Sequence, residues 1–525
     1  MQTPILVFGT ALVAVVLTIA AHSTWWRRLP LPPGPPSLPF IGNLFNFPTV
    51  NPWLTFVSWG QKYGPIMSAR LLGQTFIIIN DIDLAYSLFS QDSGTYANRP
   101  NSVMLELANM DRVVATRPFG QEHKKGRQII SSVMRSQTFK KFHPTIDYHA
   151  IRLLKRLAKQ KPGDLTTLKT LLGCVPEHVF HQYAYKRIAS VSGEMLIHLS
   201  YGYIVGEDSG EQDIAIGQAK KARAFDNFGV LTRPGKFIVE LLPFLRHLPL
   251  WMPGAEFKRF AASCAETVNQ AKKGPLIWAE KQIKAGTARE SFARDILGTR
   301  REDLTAIEEE DLEWTLFSLF AAGIESLSIL VASYCLVACI YPEVQERLQA
   351  EIGSVVGKER FPSFDDRPNL PYLNAVCKET LRWLPLAPLA LPHCASQDSV
   401  YEGYFIPKGS VILTNTWFMG PEPERESWKD AFGFGRRACA GSIVADAFIF
   451  IGIAKIAAAF TITKSVGKDG SVLEPNVETK FSGVLASLQP FPCTIEPRAG
   501  FAEKLADAFA SCPFTGENDT LDAEL

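Results

Sequence analysis

The sequence predicts a mainly α-helical protein with small β-sheets, led by an N-terminal transmembrane helix. Three observations predict this class. Pro4 to Ala21 is an uncharged apolar run, and a second apolar run, Leu316 to Tyr341, carries one formal charge, Glu325. Runs that read as strands are short and few, at Pro65–Asn80 and Val411–Trp417. The chain has 525 residues, 46% of them apolar, with 54 basic against 53 acidic side chains. That is ample for a large core, and the balance gives no sign of a nucleic-acid partner. Nine cysteines without a Cys-x-x-Cys pair argue against a disulfide framework or zinc site and place the body in a reducing compartment.

Taken in order, Pro4–Ala21 would span about 27 Å as a helix, enough for a membrane. Trp25 and Trp26 follow at the interface and Arg27 and Arg28 just beyond it, which puts the C-terminal flank in the cytosol. A cleaved signal peptide is the rival reading, disfavoured by the length of the run and the lack of a basic start. Leu31-Pro32-Pro33-Gly34-Pro35-Pro36 is a stiff, extended connector. Residues 1–26 are thus read as an anchor, 27–44 as a hinge, 45–500 as the catalytic domain and 501–525 as a C-terminal tail.

Pro65–Asn80 reads as strands around a turn at Gly73, and the span from Leu153 to Asn269 is mostly helical and silent about chemistry. Glu308-Glu309-Glu310-Asp311 supplies an acidic first turn to a long helix. Its apolar run, bounded by those acids and Pro342 and holding Glu325 in mid-span, reads as a helix buried through a large soluble domain. In its middle, Ala322-Gly323-Ile324-Glu325-Ser326, the small pair leaves space above a flat ligand. Gly323 also permits a local widening of the helix, and an acid beside a hydroxyl can pass protons inward. An ordinary helix contact at Gly323 is the plain alternative.

Glu379 and Arg382 lie at i and i+3 on one face of a helix from Pro371 to Trp383. A second Glu-x-x-Arg, Glu422 to Arg425, shows how weak that spacing is alone. The most specific stretch is Phe432-Gly433-Phe434-Gly435-Arg436-Arg437-Ala438-Cys439-Ala440-Gly441, followed by an apolar helical run. A cysteine at a helix N-terminus with arginines just upstream favours thiolate. Gly435 and Gly441 let backbone approach a flat ligand, and arginine can pair with its carboxylates. Thiolate, plane and clamp together describe haem b held by axial Cys439.

Phe-x-x-Gly-x-Arg-x-Cys-x-Gly resembles the haem-binding loop of the cytochrome P-450 family, the haem-thiolate monooxygenases of microsomal fungal type. Ala322–Ser326 resembles that family's oxygen-activation motif, with Ser326 in place of threonine. The resemblance implies the cytochrome P-450 fold and oxygen insertion from O2 into a hydrophobic small molecule. It implies electrons from an NADPH–cytochrome P-450 reductase and a single-pass place in the endoplasmic reticulum membrane with the catalytic domain cytosolic. A terpenoid or polyketide of secondary metabolism is the expected substrate class. Cys439 would be the iron ligand, and Phe432, Gly435 and Gly441 would shape its loop. Gly323, Glu325 and Ser326 would handle oxygen and protons. Arg437, Arg127 and His393 would hold the propionates, with His123 standing where the family has tryptophan, and Lys124 and Lys125 would attract the reductase. Val103, Met104, Leu105, Leu107, Met110 and Val113, a lid bearing Phe225, Phe228, Val230 and Leu231, and the turn at Phe481–Leu485 would border the substrate. Glu379 and Arg382 would lock the core, with Arg425 as a third partner.

The chain departs from the family between Trp417 and Phe432, where only fourteen residues replace a longer meander. Two other functions therefore stand beside the monooxygenase: a haem-thiolate isomerase or dehydratase working without O2, and a catalytically impaired haem binder.

Overall fold

The computed structural model describes residues 29–91, 93–158, 191–206, 224–232, 236–298, 305–419, 427–467, 469–481, 483–489 and 491–514. The predicted anchor, Phe225's side chain and Arg425 lie outside this description. The fold is mainly helical with small sheets, as the sequence predicts.

A four-stranded sheet forms around the predicted hairpin. Strands β1 (Ile66–Leu71) and β2 (Gln74–Ile79) pair antiparallel, joined by Leu72 and Gly73, both left-handed. β3 (His393–Cys394) and β4 (Val411–Thr414) complete the order β1-β2-β4-β3, with β4 parallel to β2. Residues more than three hundred positions apart thus meet, and His393 is carried to the N-terminal sheet. The predicted strand ends early: Trp417 belongs to a short helix, Thr416–Met419, and packs on Trp53 at 5.8 Å.

The proline-rich connector is bound to this sheet. The carbonyls of Pro32 and Pro33 accept from Ser68 Oγ and N at 2.6 and 2.9 Å, and that of Pro30 accepts from Phe405 N at 2.8 Å. A β-carbon at Gly34 would fall 1.9 Å from the Ser68 carbonyl oxygen, so only glycine fits there.

The main helices surround α5 (Ala306–Ile340). They include α2 (Gln121–Val133), α3 (His143–Ala158), α4 (Val191–Tyr201), α6 (Pro371–Trp383) and α7 (Ser442–Ala459). Thr305 and Glu308 cap α5 reciprocally, the predicted acidic turn forming half of a capping box. Two described helices, α5 and α7, are long and apolar enough to cross a membrane, but both are mostly buried within the fold. α7 is pinned by Asp446, whose carboxylate takes two bonds from Arg367 at 2.7 and 2.8 Å.

The segment expected as a C-terminal tail carries a further helix. Residues Phe501–Ala510 form α8, with Phe501 packed on Phe460 at 5.0 Å, and Phe514 sits 4.8 Å from His198. Apolar side chains at helical spacing give this stretch a face to lay against its neighbours.

Candidate haem-thiolate site

Cys439 sits three residues before the first residue of α7, and its own N–H donates to the Phe432 carbonyl at 2.7 Å. The loop turns on two left-handed glycines, Gly433 at φ 77° and Gly435 at φ 55°. At Gly435 a β-carbon would lie 2.3 Å from the Phe89 carbonyl oxygen, so that glycine is fixed by contact as well as by conformation. Cys439 is the one exposed cysteine among the described residues, yet enough protein surrounds it for burial to raise its thiol pKa. A sulfur with both properties suits the wall of a recess.

The charge around the sulfur differs from the expectation. The Gly441 N–H and the Arg127 guanidinium pull the thiol pKa down, but burial outweighs both and the net shift is upward. Arg437 contributes elsewhere. Its guanidinium is buried and donates to the carbonyls of Ala97 at 2.6 Å, Val114 at 3.5 Å and Arg117 at 2.8 Å.

Beyond its exposed first turns α5 is largely buried, but its middle is interrupted by a run of five accessible residues. From Ala322 to Ser326 every residue is accessible, while Phe320, Ala321, Leu327 and Ser328 on either side are buried. The expected widening is absent: the helix is unbroken α, and Ser326 Oγ donates back to the Ala322 carbonyl at 3.2 Å. Gly323 follows the plain alternative on one side, because its added β-carbon would meet Leu196 Cδ1 of α4 at 2.8 Å. One helix links the central helix to the neighbourhood of the cysteine. In α2, Gly126 packs near Thr315 of α5, where a β-carbon would meet Thr315 Oγ1 at 3.5 Å, and the adjacent Arg127 reaches the field of Cys439. Gly126 therefore permits a close helix crossing rather than merely weakening α2.

Buried positive charge collects beside this space. Arg99 donates to the carbonyls of Ala115 at 2.9 Å, Leu391 at 2.7 Å and Pro392 at 2.8 Å. Burial and the neighbouring Arg437 push its pKa down to about 9, and Arg437 falls to about 10 by burial and Arg127. His123 is driven down to about 3 by burial and by Arg437, Arg127, Arg99 and Arg117. His393 is likewise held well below its ordinary value by burial and Arg99. The His393 Nδ1 faces the Tyr96 carbonyl at 2.8 Å, so Nδ1 carries the proton and Nε2 remains as the other face of the ring. Among the described residues only Arg117 in this group has a carboxylate, Asp311. Buried cations held by carbonyls alone suit an anionic ligand. The accessible sulfur, the uncovered stretch of α5 and this cationic cluster together fit a haem with its propionates.

Sequence reasoning missed Arg99, Arg117, Tyr86 and Asp430. A lone arginine, tyrosine or aspartate has no period or spacing to mark it, and each acts through contacts distant in sequence. Other expectations resolve plainly. Val103, Met104, Leu105, Met110, Val113, Phe228 and Leu231 are buried in the core. Glu379 and Arg382 do pair, with Arg382 Nε 2.8 Å from Glu379 Oε2, but the Glu379 side chain is 59% exposed. Lys125 is engaged by Glu308 at 3.3 Å, and Lys124 lies over the Phe119 ring. Phe481 ends a short strand, Thr479–Phe481, paired with Ala486–Leu488, and packs on Trp53.

The family model described as Cytochrome P-450 matches residues 32–430. Cytochrome P-450 monooxygenase 208 of Postia placenta is 34% identical over 95% of this chain and 96% of its own length. Cytochrome P-450 monooxygenase claR of Ampulloclitocybe clavipes is 31% identical over 96% and 94%, and monooxygenase CLM2 of Gibberella zeae is 30% identical over 90% of each. The chain belongs to the cytochrome P-450 family. It is an oxidoreductase of the monooxygenase type, and the family's cofactor is haem with a cysteine thiolate as axial ligand.

Proposed function

We propose that this protein inserts one oxygen atom from O2 into a hydrophobic small molecule, with Cys439 as the axial ligand and an NADPH-dependent reductase as electron donor. The observation that carries this reading is the accessible Cys439 sulfur at the head of α7, together with the accessible stretch Ala322–Ser326 on α5, the helix that packs against α7. When bound, the haem supplies oxygen activation, with the thiolate donating electron density to the iron. Everything else is done by side chains. Arg127 and Arg437 would place positive charge near the propionates and neutral His123 would offer them a hydrogen bond, while His393, whose Nδ1 proton goes to Tyr96, supports the wall by packing, and Arg99 ties the segments at 115 and 391–392 together. Glu325 and Ser326 hold protons at the edge of the space left by α5. The loop glycines Gly435 and Gly441, with the Phe432 carbonyl, set the height of the sulfur.

The substrate is read as an apolar terpenoid or polyketide of secondary metabolism, since apolar residues dominate every candidate contact segment. Residues 1–26 serve as a membrane anchor, 27–44 as its hinge and 45–500 as the catalytic body, in the endoplasmic reticulum with the body in the cytosol. Exposed apolar side chains just after the connector support that placement, Phe40 at 97% and Phe45 at 82%. Incubating the purified protein with a reductase, NADPH and a panel of such substrates tests the reading. It predicts a product heavier by one oxygen, labelled from 18O2. Unlabelled or isomerised product would contradict it.

A further inference from the structure

We propose that Tyr86 is a positioning residue for the Cys439 thiolate, holding the cysteine loop through Asp430 and Phe434. This inference rests on the reading of Cys439 as the iron ligand. The Tyr86 hydroxyl donates to Asp430 Oδ1 across 344 positions of sequence. Its ring meets Phe434 edge-on, with centroids 5.1 Å apart and planes at 90°. Phe89, in a single π turn at Ser87–Gln91, stacks on the other side of Phe434 at 5.9 Å. The Phe89 carbonyl is the atom against which Gly435 is pressed. One short segment, 82–91, thus grips three successive points of the loop: 430, 434 and 435.

Those points determine the sulfur. The Gly433 N–H donates to the Asp430 carbonyl at 3.0 Å, that of Arg437 to Phe434 at 3.3 Å, that of Ala438 to Gly435 at 3.2 Å, and that of Cys439 back to Phe432 at 2.7 Å. Each bond spans three to seven residues, so displacement at Asp430 or Phe434 is transmitted to Cys439. The loop also needs an external hold. Two left-handed glycines give it wide freedom when unsupported, and only fourteen residues separate Trp417 from Phe432. Phe434 is buried, so the grip is at the root of the loop rather than on its rim.

The test uses purified, haem-loaded protein and two readouts. The first is the ratio of thiolate-ligated to thiol-ligated haem in the reduced carbon monoxide spectrum, followed over time. The second is the rate of haem transfer to apomyoglobin. Tyr86→Phe keeps the ring contacts and removes the hydroxyl; it should shift the ratio toward thiol and speed haem loss about three- to tenfold. Tyr401→Phe is the matched control, since that hydroxyl bonds the Leu84 carbonyl at 3.1 Å in the same segment without touching the loop. It should leave the ratio unchanged. On an Asp430→Ala background, Tyr86→Phe should add little. Should Tyr86→Phe not accumulate, Asp430→Ala carries the same prediction. A wild-type ratio in Tyr86→Phe, an equal shift in Tyr401→Phe, or full additivity with Asp430→Ala would each overturn the inference. An absent thiolate band in the unmodified protein would instead overturn the assignment of Cys439.

Discussion

Gly323 and Leu196 touch where the central helix crosses α4: a β-carbon at 323 would lie 2.8 Å from Leu196 Cδ1. The residue that sequence reasoning assigned to oxygen handling therefore also sets the spacing of two helices. The obstruction is the far end of a flexible side chain, so it can yield. Gly323→Ala should change stability little, the helix-propensity gain of about 1 kcal/mol offsetting the crowding. Gly323→Val should cost about 1–3 kcal/mol, largely restored by adding Leu196→Ala. Thermal unfolding of the four proteins checks this.

Asp446 and Arg367 predict a ranking. Their bidentate contact pins the helix that follows Cys439, with both side chains about a third exposed, whereas Glu379 is 59% exposed. Asp446→Ala should lower stability by about 1–2 kcal/mol and Glu379→Ala by less than about 1 kcal/mol. Denaturant unfolding orders the two, and the reverse order would make Glu379–Arg382 the principal lock.

Asp366 gives a pH prediction. Its carboxyl is held down to about 2, first by Arg360 and then by the Ser363 N–H and hydroxyl. Folding therefore favours the charged form. The stabilisation is full above the ordinary carboxylate value of about 3.9 and is lost as pH falls through about 2. Arg360 is half exposed, so the gain is modest. Asp366→Asn should cost about 1 kcal/mol near neutrality and progressively less as pH falls toward 2, measured as paired unfolding curves.

The cationic wall predicts haem retention. Arg437→Lys keeps the charge but gathers its donors on one nitrogen, which cannot span three carbonyls met by three separate guanidinium nitrogens, so haem affinity should fall roughly tenfold. Arg99→Leu should weaken retention comparably although the residue was invisible in sequence. Haem titration of the apoprotein reads both, and unchanged affinity in both would remove this wall from the site.

Much of the site was legible because its signals are local. The cysteine loop, the two glycines that shape it and the apolar run of the central helix each depend on neighbours within a turn or two. What was not legible depends on distant contacts. Arg437 was expected at a propionate, and its forked head is occupied by three carbonyls from residues 97–117. Gly126 looked like a helix weakness until Val114 and Thr315 were seen against it. The stretch from Val103 to Val113 reads equally as substrate-facing or core, and Val103, Met104, Leu105, Met110 and Val113 are buried through contacts that no local pattern announces. The hold of Tyr86 on Asp430 joins opposite ends of the chain and leaves no pattern in either.

The carbon monoxide spectrum of the reduced protein, compared with that of Cys439→Ala, tests the account at its root. The unmodified protein should show the red-shifted band of a thiolate-ligated haem, and Cys439→Ala should lose it completely. The same band in both proteins, or in neither, would contradict the assignment of Cys439 as the ligand.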